Sequence, residues 1–479
     1  MQRTQRIALT LCLSFSLVGG LSGCSILAPS YTRPEAPVPA SWQQDGASKE
    51  TASAAAQQAV AAIAWQDFYR DPRLQKVIDL SLVHNRDLRV AALNVERTRA
   101  LYQIQRAALV PEVDASGGAS YQRLPSDFSG GGKRETHQYT AGLGVTAYEL
   151  DLFGRVSSLK DQALETYLAT EQAQLSARIS LIAQIAAGYL TLAADRELLH
   201  LAQETLKAQE ESYRLIQRRF EVGASSELDL RQAQAQVEAA RVDVARFSTL
   251  TAQDEDSLHL LAGTRVPADL LPSTLTDQVA ALENVAPGLS SDVLLERPDV
   301  RQAENMLKGY NANIGAARAA FFPRITLVGS VGVGSRELSG LFTSGSDSWS
   351  FMPRIDLPIF DAGARAAQLQ VAEVDRDIAL AQYEKAIQTA FREVADTLAQ
   401  RANVEQQLAA QQALRQATEK QYVLARERYT KGVDSYLNVL VAQRSLYSAQ
   451  QGEIGVRLTR MTNLVSLYKA LGGGVQAAN

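Results

Sequence analysis

Cysteine is almost missing from this chain: 479 residues hold two, Cys12 and Cys24. Cys12 lies in the apolar opening stretch, so a processed chain would keep one thiol and could form no intrachain disulfide. The four histidines, His84, His137, His200 and His259, are scattered, and none sits at metal-ligand spacing. No phosphate-cradling glycine loop is present. The acids in the turns "DLF" and "FDAG" suit helix N-caps better than an acid–base pair. No catalytic residue, metal or cofactor is expected, and the chain does not read as an enzyme. A net charge of −4, with both signs interspersed, argues against a nucleic-acid surface. Beyond the amino terminus no long apolar run is evident, so no transmembrane helix is expected.

What is present begins with "MQRTQRIALTLCLSFSLVGGLSGCS". Two arginines, a short apolar run and small residues before Cys24 read as a signal peptide over 1–23. Leu21-Ser22-Gly23-Cys24 resembles a bacterial lipobox, which implies cleavage before Cys24 and acylation of that cysteine. Ser25 at the next position favours the outer membrane. Residues 24–71, with Pro29, Pro34, Pro37 and Pro39, read as an extended, lipidated tether.

The rest of the chain is one unit used twice. "RAALVPEVDASGGAS" and "ARAAFFPRITLVGS" both pass from helical to alternating pattern at a proline, Pro111 and Pro323. Proline lacks an N–H and biases its predecessor out of the helical region. "NRDLRVA" matches "RPDVRQA", and "RRFEVGASSELDLRQAQ" matches "ERYTKGVDSYLNVLVAQ", each offset by about 210 residues. The first repeat spans 72–263: a helix over 72–109, a strand pair within 112–152, then a long helical hairpin. A linker follows over 264–296. The second repeat spans 297–471, with its strand pair within 324–360, and 472–479 form a tail. Proline-free helical stretches such as 156–220 would be roughly 100 Å long.

All four predicted strands keep one parity. Tyr139, Ala141, Leu143, Val145, Val331, Val333, Trp349, Phe351, Ile355 and Leu357 fall on odd positions, while the even face is Ser, Thr, Gly, Gln, Arg and Asp. A soluble sandwich and an outer-membrane barrel both fit that alternation; the anchor and the long helices favour the barrel. Four strands cannot close a barrel, and an open edge in lipid leaves backbone groups unpaired. The sheet must therefore be shared between chains.

In this order the lipobox, "LRVAALNVE", "YELDLFGR", "ERPDVRQAE", "IGAARAAFFPRITL" and "QTAFREVADTL" resemble the outer-membrane efflux factors, the trimeric channel-tunnels. More narrowly they resemble the lipoprotein branch serving resistance–nodulation–division drug pumps. The resemblance implies a mixed α and β homotrimer. Its transmembrane β-barrel would have twelve strands, four per chain, continuous with a long periplasmic α-helical barrel. It implies a passive exit duct for drugs, partnered by a periplasmic adaptor and an inner-membrane pump. The alternative is a conduit for protein or polysaccharide secretion.

By motif, Leu437 would project into the pore as a closing ring. Tyr429 and Asp434 would bond toward the first hairpin, with Asp229 and Arg231 as partners. Val222, Gly223, Ala224, Lys431, Gly432 and Val433, at the two tips, would meet the adaptor. Relatives commonly carry acids just past the ring leucine; here Asn438 and Val441 stand there.

Overall fold

The structure is a computed structural model, and it describes residues 27–42, 63–123, 125, 135–275 and 291–474. Cys24 and the signal peptide lie outside the described residues, as do the middle of the linker and the last five residues. The element order is α1 (Trp65–Phe68), α2 (Pro72–His84), α3 (Arg86–Ala107), β1 (Asp114–Arg123), β2 (Glu135–Leu150), α4 (Arg155–Glu221), α5 (Glu227–Ala262), α6 (Pro298–Ala319), β3 (Arg324–Ser335), β4 (Asp347–Asp356), α7 (Ala364–Thr430) and α8 (Tyr436–Ala470). Contacts divide the chain into two compact units. The first joins residues up to Glu35 with Asn94–Thr170 and Gln302–Tyr383; the second holds the rest.

The first unit carries the sheet. Its four strands pair antiparallel in the order β1-β2-β3-β4, so one edge of β1 and one edge of β4 have no strand beside them among the described residues. The helices before the sheet stop at Ala107 and Ala319, one turn short of Pro111 and Pro323, and not at the prolines themselves. Opposite residues share parity through most of the sheet: Ala115 faces Leu143, which faces Val331, which faces Trp349. The expectation of a single parity fails at one place. Between Val145 and Tyr148 the register with β3 shifts, so Tyr148 faces Leu327 and Leu150 faces Ile325. A bulge absorbs one residue and moves even-numbered positions onto the apolar face.

The middle of the other face is lined by small side chains. Ser330 and Ser350 bond across at 2.8 Å. Gly142 and Gly332 face each other, and a Cβ on Gly142 would lie 2.7 Å from the Val331 carbonyl oxygen, one on Gly332 2.4 Å from that of Ala141. Small residues on one face and Trp349, Phe351 and Val331 on the other let the sheet curl toward the small side.

The first unit also fixes part of the expected tether. Residues 27–33 are extended and lie antiparallel along α6. The Arg318 guanidinium donates to the Leu27 carbonyl at 3.3 Å, Asn311 to that of Pro29 at 2.7 Å, and Arg33 to Glu304 at 3.0 and 2.8 Å. Tyr31 also donates to Glu304 at 3.2 Å. Glu304 is 5 % exposed; burial opposes its charge, but Arg33 and Lys308 hold its carboxyl below the usual range. The prolines make this segment extended, as expected, yet it is a strap and not a free tether.

The second unit is helical. The helix expected over 72–109 is two helices, broken at Asn85. Its backbone caps α2, its Oδ1 accepts from Leu88 N at 2.8 Å, and its Nδ2 donates to Leu261 O at 2.8 Å. In the second repeat Arg297 fills that place. It is buried, donates to Ala470 O at 2.7 Å, and is paired with Asp299 at 2.7 Å and Glu393 at 2.8 Å. The linker starts as a clamp: Arg196 holds Pro272 O and Glu255, and Arg457 holds Leu275 O and Glu197. Contrary to the sequence reading, α4 contains a stretch of mean hydropathy 1.4, long and apolar enough to cross a membrane. However, 56 % of it is buried within the protein, as in a core helix.

Candidate functional site at the hairpin tips

The second unit contains two tips, one joining α4 to α5 and one joining α7 to α8. Each turn repeats the other bond for bond. Gly223 N reaches Phe220 O and Ala224 N reaches Arg219 O; Gly432 N reaches Tyr429 O and Val433 N reaches Arg428 O. Gly223 and Gly432 have φ of 74° and 75°, a left-handed conformation that glycine adopts without strain. The pair of bonds is a Schellman termination, so the sequence breaks both helices by the same device.

The helices restart differently. Ser226 caps α5 in a capping box: its hydroxyl accepts from Asp229 N at 3.1 Å, and the Asp229 carboxylate accepts from Ser226 N at 3.3 Å. Ser435 starts α8 with no side-chain cap bond. Asn438 stands where Asp229 stands in the first copy.

Behind the tips four helices meet. Ile216, Ala233, Tyr436, Val439 and Leu440 are buried together, and Tyr213, Leu230, Tyr422 and Tyr429 pack on them. Burial, with the neighbouring Tyr429 and Tyr422 hydroxyls and the Asp229 carboxylate, pushes the Tyr436 hydroxyl far above its ordinary value. Leu437 is not part of this core. It is 51 % exposed, with Val441 one turn on at 50 %. They form an exposed apolar stripe on α8 beside the buried face. Leu228, its counterpart in the first copy, is 66 % exposed.

The expected polar partners are not brought together within the chain. Tyr429 does reach the first hairpin, but its hydroxyl accepts from Arg219 Nη1 at 3.0 Å. Asp434 pairs with Arg428, six residues before it, at 2.5 Å, and that guanidinium holds its carboxyl below the usual range. Asp229 is spent on the cap, with Ser225 and Ser226 both donating to it. Arg231 pairs with Glu227 at 3.4 Å and Gln234 at 3.0 Å. Residues near in sequence satisfy these charges first, at lower loop-closure cost than the cross-hairpin pairs. Arg219 was missed; its signal was an arginine pair, "RRF", at the end of a helix beside a tyrosine tip. Val222, Gly223, Ala224, Lys431, Gly432 and Val433 are all exposed.

The outer membrane efflux protein family matches the chain over residues 77–264 and 289–473, one segment per repeat. The chain belongs to that family. Over 455 residues it is 52 % identical to a probable efflux pump outer membrane protein, TtgC of Pseudomonas putida, covering 95 % of this chain and 93 % of the relative. It is 43 % identical over 455 residues to outer membrane protein OprJ of Pseudomonas aeruginosa, covering 95 % and 94 %. Among solved structures it is similar to the open-state MtrE outer membrane channel of Neisseria gonorrhoeae, with a TM-score of 0.84, 40 % identity, and 94 % and 98 % of the two chains covered.

Proposed function

We propose that this protein is the outer-membrane channel of a tripartite multidrug efflux system, a passive duct that catalyses no reaction. The observation that carries the reading is the sheet. Its apolar face is open, with Trp349 78 % and Phe351 60 % exposed, and both outer strands lack a neighbour on one side among the described residues. A membrane sheet must close, so the barrel is shared between chains; the likeness to the channel family supports three chains contributing four strands each. The close backbone approach at Gly142 and Gly332, which leaves no room for side chains there, supports a small-residue lumen and a lipid-facing outer surface. The helical hairpins assemble into a periplasmic cylinder. The tips at Val222–Ala224 and Lys431–Val433 receive a periplasmic adaptor, which links the channel to an inner-membrane resistance–nodulation–division pump.

Acylated Cys24 anchors each chain to the outer membrane, after removal of residues 1–23. Leu437, exposed in the single chain, becomes a ring near the threefold axis, and such apolar constrictions block ions by excluding water. Tyr429 with Arg219, and Asp434 with Arg428, brace the helices that carry the ring. Efflux is favoured over protein or polysaccharide secretion by the names of the relatives.

The test is expression in an efflux-deficient host together with candidate pump–adaptor pairs. Drug resistance restored only when all three parts are present is the expected result. Resistance unchanged with every pair, despite channel protein in the outer membrane, would sink the reading.

A further inference from the structure

On the open apolar face of the sheet lies a groove of about 590 Å³, lined by Leu143, Val145, Tyr148, Leu327, Val331 and Phe351. Two local features make it. The bulge after Val145 swings Tyr148 onto this face, where its hydroxyl donates to Leu109 O at 3.1 Å. Gly329, opposite both Val145 and Phe351, leaves its floor without a side chain.

The strap fixes what can reach the groove. From Arg33 to Leu27 the chain climbs α6 from Glu304 to Arg318. Six extended steps span about 20 Å and fourteen helical steps about 21 Å, so strap and helix keep pace. Ala28 is seated tightly: a Cβ on Gly315 would lie 2.7 Å from its nitrogen. The strap's direction leads from α6 toward Pro323 and the first residues of β3. Cys24 is three steps along the chain from Leu27, with Ser25 and Ile26 between, so the chain can carry it no more than about 10 Å from Leu27. Leu327, at the lower end of the groove, is only three residues into β3 beyond Arg324.

We infer that the groove is a binding site for a fatty acyl chain of this protein's own Cys24, laid against the sheet and not dispersed in the bilayer. The inference rests on the reading that Cys24 is acylated and the odd-numbered face meets lipid. The strap then does more than tether: it sets the height at which the acyl chain enters. A hexadecanoyl chain extends about 20 Å, enough to run from that height past Leu327 to Phe351. The contact is of the apolar kind that burial of each CH₂ favours.

The test uses the full-length protein in whole outer membranes from cells fed a palmitate analogue with a photoactivatable group in its tail. After irradiation, mass spectrometry should find Cys24 lipopeptide joined to peptides carrying Leu143–Tyr148 or Leu327–Val331. Gly329→Leu places a side chain in the groove, and a Cβ there meets nothing closer than 3.5 Å. That variant should lower these adducts at least fivefold at unchanged acyl count and trimer yield. Adducts only with phospholipid or with other surfaces, or adducts unchanged in Gly329→Leu, would overturn the inference. If intact mass shows Cys24 unmodified, the anchoring reading itself fails, and the inference with it.

Discussion

Arg219 donates from Nη1 to the Tyr429 hydroxyl at 3.0 Å, and its guanidinium carbon stands 5.2 Å from the centre of the same ring. One side chain thus joins the end of α4 to the end of α7 by two interactions. The hydrogen bond contributes about 1 kcal/mol and an exposed cation–π contact about 0.5–1 kcal/mol. In a trimer the contribution is threefold, roughly 5 kcal/mol, enough to move a two-state tip by more than a thousandfold. We expect Arg219→Ala, and more strongly Arg219→Ala with Leu437→Ala, to raise single-channel conductance in planar bilayers. Tyr429→Phe keeps the ring and should give a smaller rise. Wild-type conductance in the double variant, with trimers intact on native mass spectrometry, would place the constriction elsewhere.

The two tips should respond differently to the same substitution. Ser226 accepts from Asp229 N, so Ser226→Ala should cost about 1 kcal/mol. Ser435 makes no side-chain cap bond, so Ser435→Ala should be close to neutral. Hydrogen exchange of the first turns of α5 and α8 reads this directly. Faster exchange is expected in α5 alone. Equal acceleration at both tips would contradict the asymmetry.

The sheet makes a sharper demand. Gly142→Ala would set a methyl 2.7 Å from a backbone oxygen and 2.9 Å from the Gly332 Cα, neither of which can swing aside. We expect trimer yield to fall severely, measured by native mass spectrometry after detergent extraction. On the apolar face, Val331→Arg should also impair assembly, at about 2–4 kcal/mol per lipid-facing charge near the midplane. Ser330→Arg, which turns to the small-residue face, should be milder. A reversed order between Val331→Arg and Ser330→Arg would invert the assignment of the two faces.

Much of this was legible in the sequence, and the reasons are physical. Duplicated motifs, period-two alternation and a proline ahead of each strand pair are local signals, and they place β1–β4 and the long helices within a few residues. The bulge in β2 was not legible. "VTAYEL" alternates acceptably in either register, and only the pairing with β3 decides between them. The break at Asn85 was hidden because the residue that interrupts the helix also caps the next one, and its anchor, Leu261, is distant in sequence. The strap was read as free because its partners, Glu304, Asn311 and Arg318, are ordinary exposed-type residues in the second repeat. At the tips, residue types pointed to the correct region but not to the partners. Arg428 competes successfully for Asp434, and Arg219 takes Tyr429.

Two acids, Asp195 in α4 and Asp254 in α5, face each other between the two helices. Asp254 has its carboxyl pushed up to about 7, first by burial, then by hydrogen bonding to Asp195 and by that neighbour's charge. Its Oδ2 is buried without a hydrogen-bond partner. The adjacent charges are already engaged: Arg196 with Glu255 at 2.6 Å, and Arg457 with Glu197 at 3.2 Å. No basic side chain contributes to the shift of Asp254. The folded state holds a proton there that an unfolded aspartate releases near pH 4. Stability from protonated Asp254 is thus fully present below about pH 4 and is lost as pH rises through about 7. Asp254→Asn removes that loss. The variant should melt close to wild type at pH 4.5 and measurably higher at pH 8, by differential scanning calorimetry of the detergent-solubilised protein. Asp195→Asn should give a smaller change in the same direction, since it removes the neighbouring charge but leaves Asp254 buried. A melting-temperature difference that is equal at the two pH values would show that Asp254 does not hold the extra proton.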